Sequence, residues 1–455
     1  MKKWIFLLFA LSGVLQAHAG VLSFDRQRIE FGERYQFSEL RCDVRVTNNS
    51  KQDVSLASSK ANAPGTVLYF DQARLAAGAS TLVHIKSDLA DRAGGISIRV
   101  NLETLESGKQ EQYQIVLAGY VESILDDPKP ALDLGTVDEN GREPDKGLAL
   151  TSDEDPQLRI TGVLQKPALV DARVDSDGHT LLIRPIDFHE LGYHKVLIKV
   201  GLSSPLQAQA SVVVSMDLHG NVIPDQNPID FGLQRKGSRK PVRLQLVSKS
   251  HKPFRVGKIG TDETSQIGVE PVPCLPVATE GCRAYMLEIK DAQKFGRVTG
   301  GIDFELPDTK QVIHESLSGV YLGDSTPVRS LNEIFETQKH SVGTQDVDLS
   351  TAIKSAVEEP APAPAGNGPL LKWQVANEAG IYGYAIYRGN SANSHFARVN
   401  EQIVRAKNGG DNVTSAYQWR DPGATSGKEY WYYISIFYNN GKKVQLTGPQ
   451  KVAAK

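Results

Sequence analysis

Catalytic chemistry in this 455-residue chain would have to come from its histidines, cysteines and carboxylates, and their spacings argue against it. His189-Glu190-Leu191-Gly192-Tyr193-His194 has the residue types of a zinc site with a general base. Its histidines are five positions apart, while one helical face brings together positions four apart, so the stretch reads as a surface turn. Asp175-Ser176-Asp177-Gly178 opens like a calcium loop but lacks the later oxygen ligands, and reads as a hairpin turn. There is no Gly-x-Ser-x-Gly, no phosphate-binding loop and no Cys-x-x-Cys. The expectation is a non-enzyme with no catalytic residue, no metal and no cofactor.

The cysteines point to a compartment instead. Lys2 and Lys3 precede an apolar run from Trp4 to Leu15, and Ala17-His18-Ala19 follows as a small-x-small cleavage site. Residues 1–19 read as a cleaved secretory signal, with an uncleaved anchor as the alternative, and no later segment is apolar enough to cross a membrane. In an oxidising compartment Cys274 and Cys282, which bracket seven residues, are expected to pair. Closing so short a loop contributes about 2.5 kcal/mol. Cys42 shares the inward parity of Val44 and Val46 and reads as a buried, inert thiol, with an intermolecular disulfide as the alternative.

Two surface features remain. Lys plus Arg total 51 and Asp plus Glu 53, so no global field favours nucleic acid. Nine basic residues and no acid lie between Gln234 and Gly260, and Arg239, Lys240 and Arg243 are the candidate contacts for an anionic surface. The bland alternative is a solvated charge run. Near the C-terminus, strand parity that buries Tyr430, Tyr432, Ile434 and Ile436 exposes Trp431, Tyr433 and Phe437. The same logic exposes Tyr387, so Tyr387, Trp431 and Tyr433 form a candidate binding patch for a protein or a sugar ring. The alternative is that the linker or the third domain covers it.

The elements that carry these features repeat. The chain reads I-E-F-G at Ile29 to Gly32, L-D-L-G at Leu132 to Gly135 and I-D-F-G at Ile229 to Gly232. A second alternating run follows each opening, at Val44 and Val46, Leu148 and Leu150, and Val242, Leu244 and Leu246. Each copy closes on L-x-G, at Leu117 and Gly119, Leu218 and Gly220, and Leu317 and Gly319. Matching register over about 100 residues marks a tandem array whose units are long enough to own a core. Alternating Val, Ile, Leu and Thr between Gly, Pro, Asn and Asp turns is the pattern of antiparallel β-sandwiches.

These copies resemble bacterial immunoglobulin-like domains of the Hydin (ASH) type. The features that carry it are the F-G opening, V-R-V-T-N-N-S at Val44 to Ser50, A-A-G-A at Ala76 to Ala79 and A-G-Y-V at Ala118 to Val121. The second copy departs, with T-S-D-E-D-P in place of the asparagine pair. The resemblance implies a fold and a role in protein assembly, without enzyme chemistry. Residues 324–367 change character: two stretches have short-helix composition, and Glu358 to Pro369 is a Pro/Ala-rich tether. From Leu370 the chain resembles a fibronectin type III domain. Trp373 sits at the family's core tryptophan and Tyr430 at its tyrosine corner, which implies a phenol bonded back to the backbone.

The reading is all-β: a signal peptide at 1–19, immunoglobulin-like domains at 20–123, 124–223 and 224–323, a linker at 324–367 and a type III-like domain at 368–455. The expected role is an exported, non-catalytic binding or scaffold protein at the bacterial periplasm or cell surface, contacting a protein partner or cell-envelope polysaccharide and no nucleic acid. The alternatives are a carbohydrate-binding accessory protein and an enzyme of unrecognised type.

Overall fold

The glycine of each opening motif lies in the left-handed region, with φ of 72° at Gly32, 68° at Gly135 and 59° at Gly232, where a side chain would be strained. The pairing register shifts at each one, so each is a bulge in the opening strand. The acid of the motif has a local task in two copies. Asp133 accepts the Gly135 N–H at 3.0 Å and Asp230 accepts the Gly232 N–H at 2.9 Å. Each also accepts a hydroxyl from the neighbouring strand, from Ser215 and Ser318.

The computed structural model describes residues 21–58, 61–106, 109–141, 144–235, 240–261, 267–276, 280–290, 296–322, 362–363, 365–366, 368–407 and 414–453. The expected leader, Arg239 and the short helices of the linker lie outside the described residues. Among the described residues the chain is all-β, with thirty-two strands, and it forms two compact units, residues 1–122 and 123–455.

In the first unit, one sheet runs Leu22–Phe24, Glu39–Asn48, Ser80–Asp88, Thr66–Phe70, and the other Arg28–Tyr35, Lys109–Glu122, Gly94–Glu106, Val54–Ser58, Arg74–Leu75. Alternating inward residues of both, among them Val44, Val46, Ile85, Phe31 and Leu117, make one core. Gly119 is required because a Cβ there would strike the Phe31 ring.

The second unit begins with two further sheet pairs, related to the second and third repeats. Strands Lys146–Ala149, Thr180–Pro185 and Val170–Val174 form one sheet of the second pair. Strands Val222–Pro224, Val242–Ser248, Cys282–Ile289 and Ile267–Val272 form one sheet of the third. Their remaining strands belong to a single eight-stranded sheet. It becomes continuous where Glu190, Leu191 and Gly192 pair in parallel with Val312, Ile313 and His314. Gln311 reinforces the joint by donating to Glu139 at 3.2 Å and to the Phe188 carbonyl at 3.0 Å, and Lys249 pairs with Asp138.

One expectation about the repeats needs correction. Ile29 lies opposite Leu117 and Ile229 opposite Leu317, but Leu132 lies opposite Val214, four residues short of Leu218. The closing L-x-G of the second copy therefore occupies a different structural position. A Cβ on Gly319 would meet Phe231 at 3.0 Å, as at Gly119 with Phe31, whereas a Cβ on Gly220 would meet Leu191 and Gln311 at the joint.

Candidate binding surface

The C-terminal sheets are built on aromatic residues. Strands Leu370–Val375 and Ser415–Arg420 face a six-stranded sheet centred on Ile381–Gly389 and Glu429–Tyr438. Trp373 is buried between Tyr384 and Tyr417, with ring centroids 5.7 and 5.3 Å away. Glu378 is sealed in this core, accepting from the Tyr384 hydroxyl at 2.6 Å, from the Ser415 hydroxyl at 2.8 Å and from the Tyr417 hydroxyl. Burial, then Glu378, pushes Tyr384 far above the usual phenol range and Tyr417 up to about 12. The Tyr430 hydroxyl accepts the Thr425 N–H at 3.3 Å. Asp421 is buried against Arg388 at 2.8 Å and the Tyr432 hydroxyl at 2.9 Å.

The outer face departs from the expectation. Tyr430, Tyr432, Ile434 and Ile436 are buried as parity requires. Parity exposes Tyr387 and Phe437, yet Tyr387 is only 3% exposed and Phe437 is fully buried. Trp431 and Tyr433 are half-buried. Tyr387 and Tyr433 lie opposite each other across the strands and stack, with centroids 4.8 Å apart and planes 8° apart. Phe396 tilts against Tyr433 at 5.0 Å, and the cations of Lys443 and Arg398 sit over the Phe437 ring at 5.2 and 5.7 Å. Trp431 lies two strand positions away, opposite Gly389.

Among the described residues, the cover comes from the second sheet pair. Tyr387 donates its hydroxyl to Glu154 at 3.1 Å, and the Lys443 ammonium donates to the same carboxylate at 2.6 Å and to the Ser123 carbonyl at 2.9 Å. The turn that presents Glu154 is fixed from below. Asp153 N–H is held by Asp126 at 2.7 Å, Asp155 N–H by Ser152 at 3.0 Å, and Asp126 N–H by the Thr151 carbonyl at 3.0 Å. Burial raises the Tyr433 phenol, with the charges of Asp153, Glu154 and Asp126 adding to it. Burial and the Asp126 charge likewise raise the Asp153 carboxyl. Sequence reading missed Glu154 and Lys443 because their partner lies 289 positions away. One signal was present: the T-S-D-E-D-P segment that departs from the repeat pattern is this turn.

Among the described residues of the basic run, Arg243, Lys249 and Arg255 already have partners. Arg243 points outward from a strand whose Leu244 and Leu246 are buried, but it donates to the Pro273 carbonyl. Lys240 is exposed, and its backbone is held by the Gln234 side chain. Lys249 pairs with Asp138 and Arg255 with Asp308, acids that lie outside the run.

Cys274 and Cys282 stand at disulfide distance, with Cα atoms 6.4 Å apart. Cys42 is half-buried against the first core, and burial pushes its thiol up to about 11, away from reactive thiolate character. His189 and His194 bond to Asp187 and to the Glu190 carbonyl, and the stretch between them is strand. A cavity of about 550 Å³ opens beside the strand Ala131–Asp138. Its charged lining is already committed: Asp138 to Lys249, Glu139 to Gln311, Lys146 to the Leu134 carbonyl, and Arg184 to Asp145 and Asp171. Glu315 is fully buried with both oxygens unpaired, facing Asp217. Among the described residues, no helix is long and apolar enough to cross a membrane and no cluster of His, Cys, Asp and Glu is arranged to hold a metal ion.

No family model matches the sequence, and no curated protein matches it. Among solved structures, a protein of unknown function from Porphyromonas gingivalis is similar at 17% identity over 44% of this chain and 100% of its own, with a TM-score of 0.21. An ASH/PapD-like domain of human CEP192 is similar at 11% identity over 26% of this chain and 99% of its own, with a TM-score of 0.20. A titin I-band fragment is similar at 9% identity over 67% of this chain and 99% of its own, with a TM-score of 0.17.

Proposed function

We propose that this chain is an exported, non-catalytic binding scaffold, acting through protein–protein contacts at the bacterial periplasm or cell surface. The observation that carries the reading is the eight-stranded sheet shared by the second and third pairs. Backbone pairing across the joint holds the two as one body, which suits a scaffold that presents surfaces at fixed spacing. The cysteine pair at disulfide distance supports an oxidising compartment. Two features favour binding over catalysis. Glu315, whose carboxyl burial pushes up, is sealed from any substrate, and the charges lining the cavity are held by the protein itself. The ASH-type and type III resemblances agree with assembly rather than chemistry. The covered Tyr387 is unfavourable to a sugar-stacking platform.

The test is photo-crosslinking in intact cells, with the reactive residue placed at Lys240, Tyr193 or Leu197, all exposed. Discrete protein adducts that depend on position are expected. Adducts that vanish on glycan digestion would replace this reading with polysaccharide binding. Turnover of a substrate by the purified chain would replace it with an enzyme.

A further inference from the structure

The turn Ser152–Asp155 meets the C-terminal face through Glu154, which contacts Tyr387 and Lys443 there. Three carboxylates, Asp126, Asp153 and Glu154, approach a stacked tyrosine pair beside one lysine. Glu154 and Lys443 are only 17% and 15% exposed, so their attraction is screened less than that of a surface pair. The glutamate receives a second donor, the Tyr387 hydroxyl, itself fixed by stacking on Tyr433. One carboxylate thus meets an ammonium and a phenol at once, the arrangement expected of a site that reads a carboxylate beside an apolar wall.

We propose that the C-terminal sheet pair carries a receptor face for acidic turns, formed by Tyr387, Tyr433 and Lys443, and that its occupant is this chain's own Asp153-Glu154 turn. The face is therefore engaged within the chain, and any other acidic segment has to displace the turn to reach it.

The experiment uses the full mature chain with Glu154→Lys, which reverses the charge at the clamp, and separately Lys443→Ala, which removes the ammonium from the other side. In the unaltered chain, a zero-length carbodiimide reagent should join Lys443 to Glu154, and nitration of Tyr387 and Tyr433 should be slow. Glu154→Lys should speed that nitration at least tenfold and allow a synthetic peptide copying residues 150–157 to bind. The same peptide should not bind the unaltered chain, nor a Glu154→Lys chain that also carries Lys443→Ala. Near-ultraviolet circular dichroism of the Trp373 cluster checks that the C-terminal pair stays folded in each variant. The proposal is overturned if Lys443 does not couple to Glu154. It is equally overturned if nitration of folded Glu154→Lys matches the unaltered chain, or if the peptide binds both double and single variants alike.

Discussion

Glu315 is the residue whose surroundings conflict most with its chemistry. Both carboxylate oxygens are buried and unpaired, and the charged group facing it is Asp217, whose own second oxygen is held by His219 at 3.0 Å. Burial first, then the Asp217 charge, pushes the Glu315 carboxyl up to about 8. Below the ordinary value of 4.5 the folded and unfolded chains both hold the proton, so nothing changes with pH. Between 4.5 and about 8 only the folded chain holds it, so stability falls as pH rises, by about 1.4 kcal/mol per unit from this group. Above about 8 the loss is complete. Thermal melting from pH 5 to 9 should show this slope, and Glu315→Gln should flatten it. A Glu315→Gln chain that still tracks the unaltered one would show that Glu315 is not the group responsible. Glu378 is the contrasting case, a buried carboxylate fully supplied with donors. Glu378→Leu strands three hydroxyls and should cost about 3 kcal/mol or more, while Glu378→Gln keeps an acceptor and should cost less. Chemical denaturation followed by Trp373 fluorescence distinguishes the two; equal losses would mean that the hydroxyls find other partners. Neither residue is legible in the sequence, where Glu315 occupies an inward strand position as if it were apolar. Burial of a carboxylate depends on what a distant strand brings to it.

At the scale of elements, alternation and glycine placement carried far. The three opening motifs are strands with left-handed glycines, and the inward sets Val44 and Val46, and Leu244 and Leu246, are buried. The parity of the last aromatic strand was right for its inward side. It misjudged the outward side because alternation says which face a side chain takes, not what packs there. The closing motif of the second copy failed for a related reason: spacing in sequence does not fix register, and Val214 rather than Leu218 stands opposite Leu132. Gly192 shows what the displaced segment does. Its φ is 104°, and a Cβ would collide with the His314 carbonyl oxygen where the two sheet pairs join. Gly192→Ala should therefore cost about 2–4 kcal/mol and open the parallel pairing. Hydrogen exchange at Val312, Ile313 and His314 should rise well before the rest of the strand Gln311–Leu322 loosens. Unchanged protection there would refute the close approach.

For the molecule as a whole, the consequence of the shared sheet is cooperativity. Domains joined only by a flexible segment melt separately, but here strands of the second and third pairs exchange backbone hydrogen bonds. The sequence gives no sign of this, because each repeat is self-similar and the joint lies where the repeats differ. The C-terminal pair offers a comparison within the same unit, since it meets the second pair through side chains such as Tyr387 and Lys443. Leu181 is fully buried in the second pair, on the sheet that the third pair does not share. Leu181→Ala leaves a cavity that should cost about 2–4 kcal/mol. If the two pairs unfold together, hydrogen exchange should accelerate in the strand Gly296–Leu306 of the third pair as much as in Gln209–His219 of the second. It should be unchanged in Glu429–Tyr438 of the C-terminal pair, which keeps its own aromatic core. Faster exchange confined to the second pair would mean that three paired residues at the joint do not couple the two, and the rigid spacing proposed for the scaffold would fall with it.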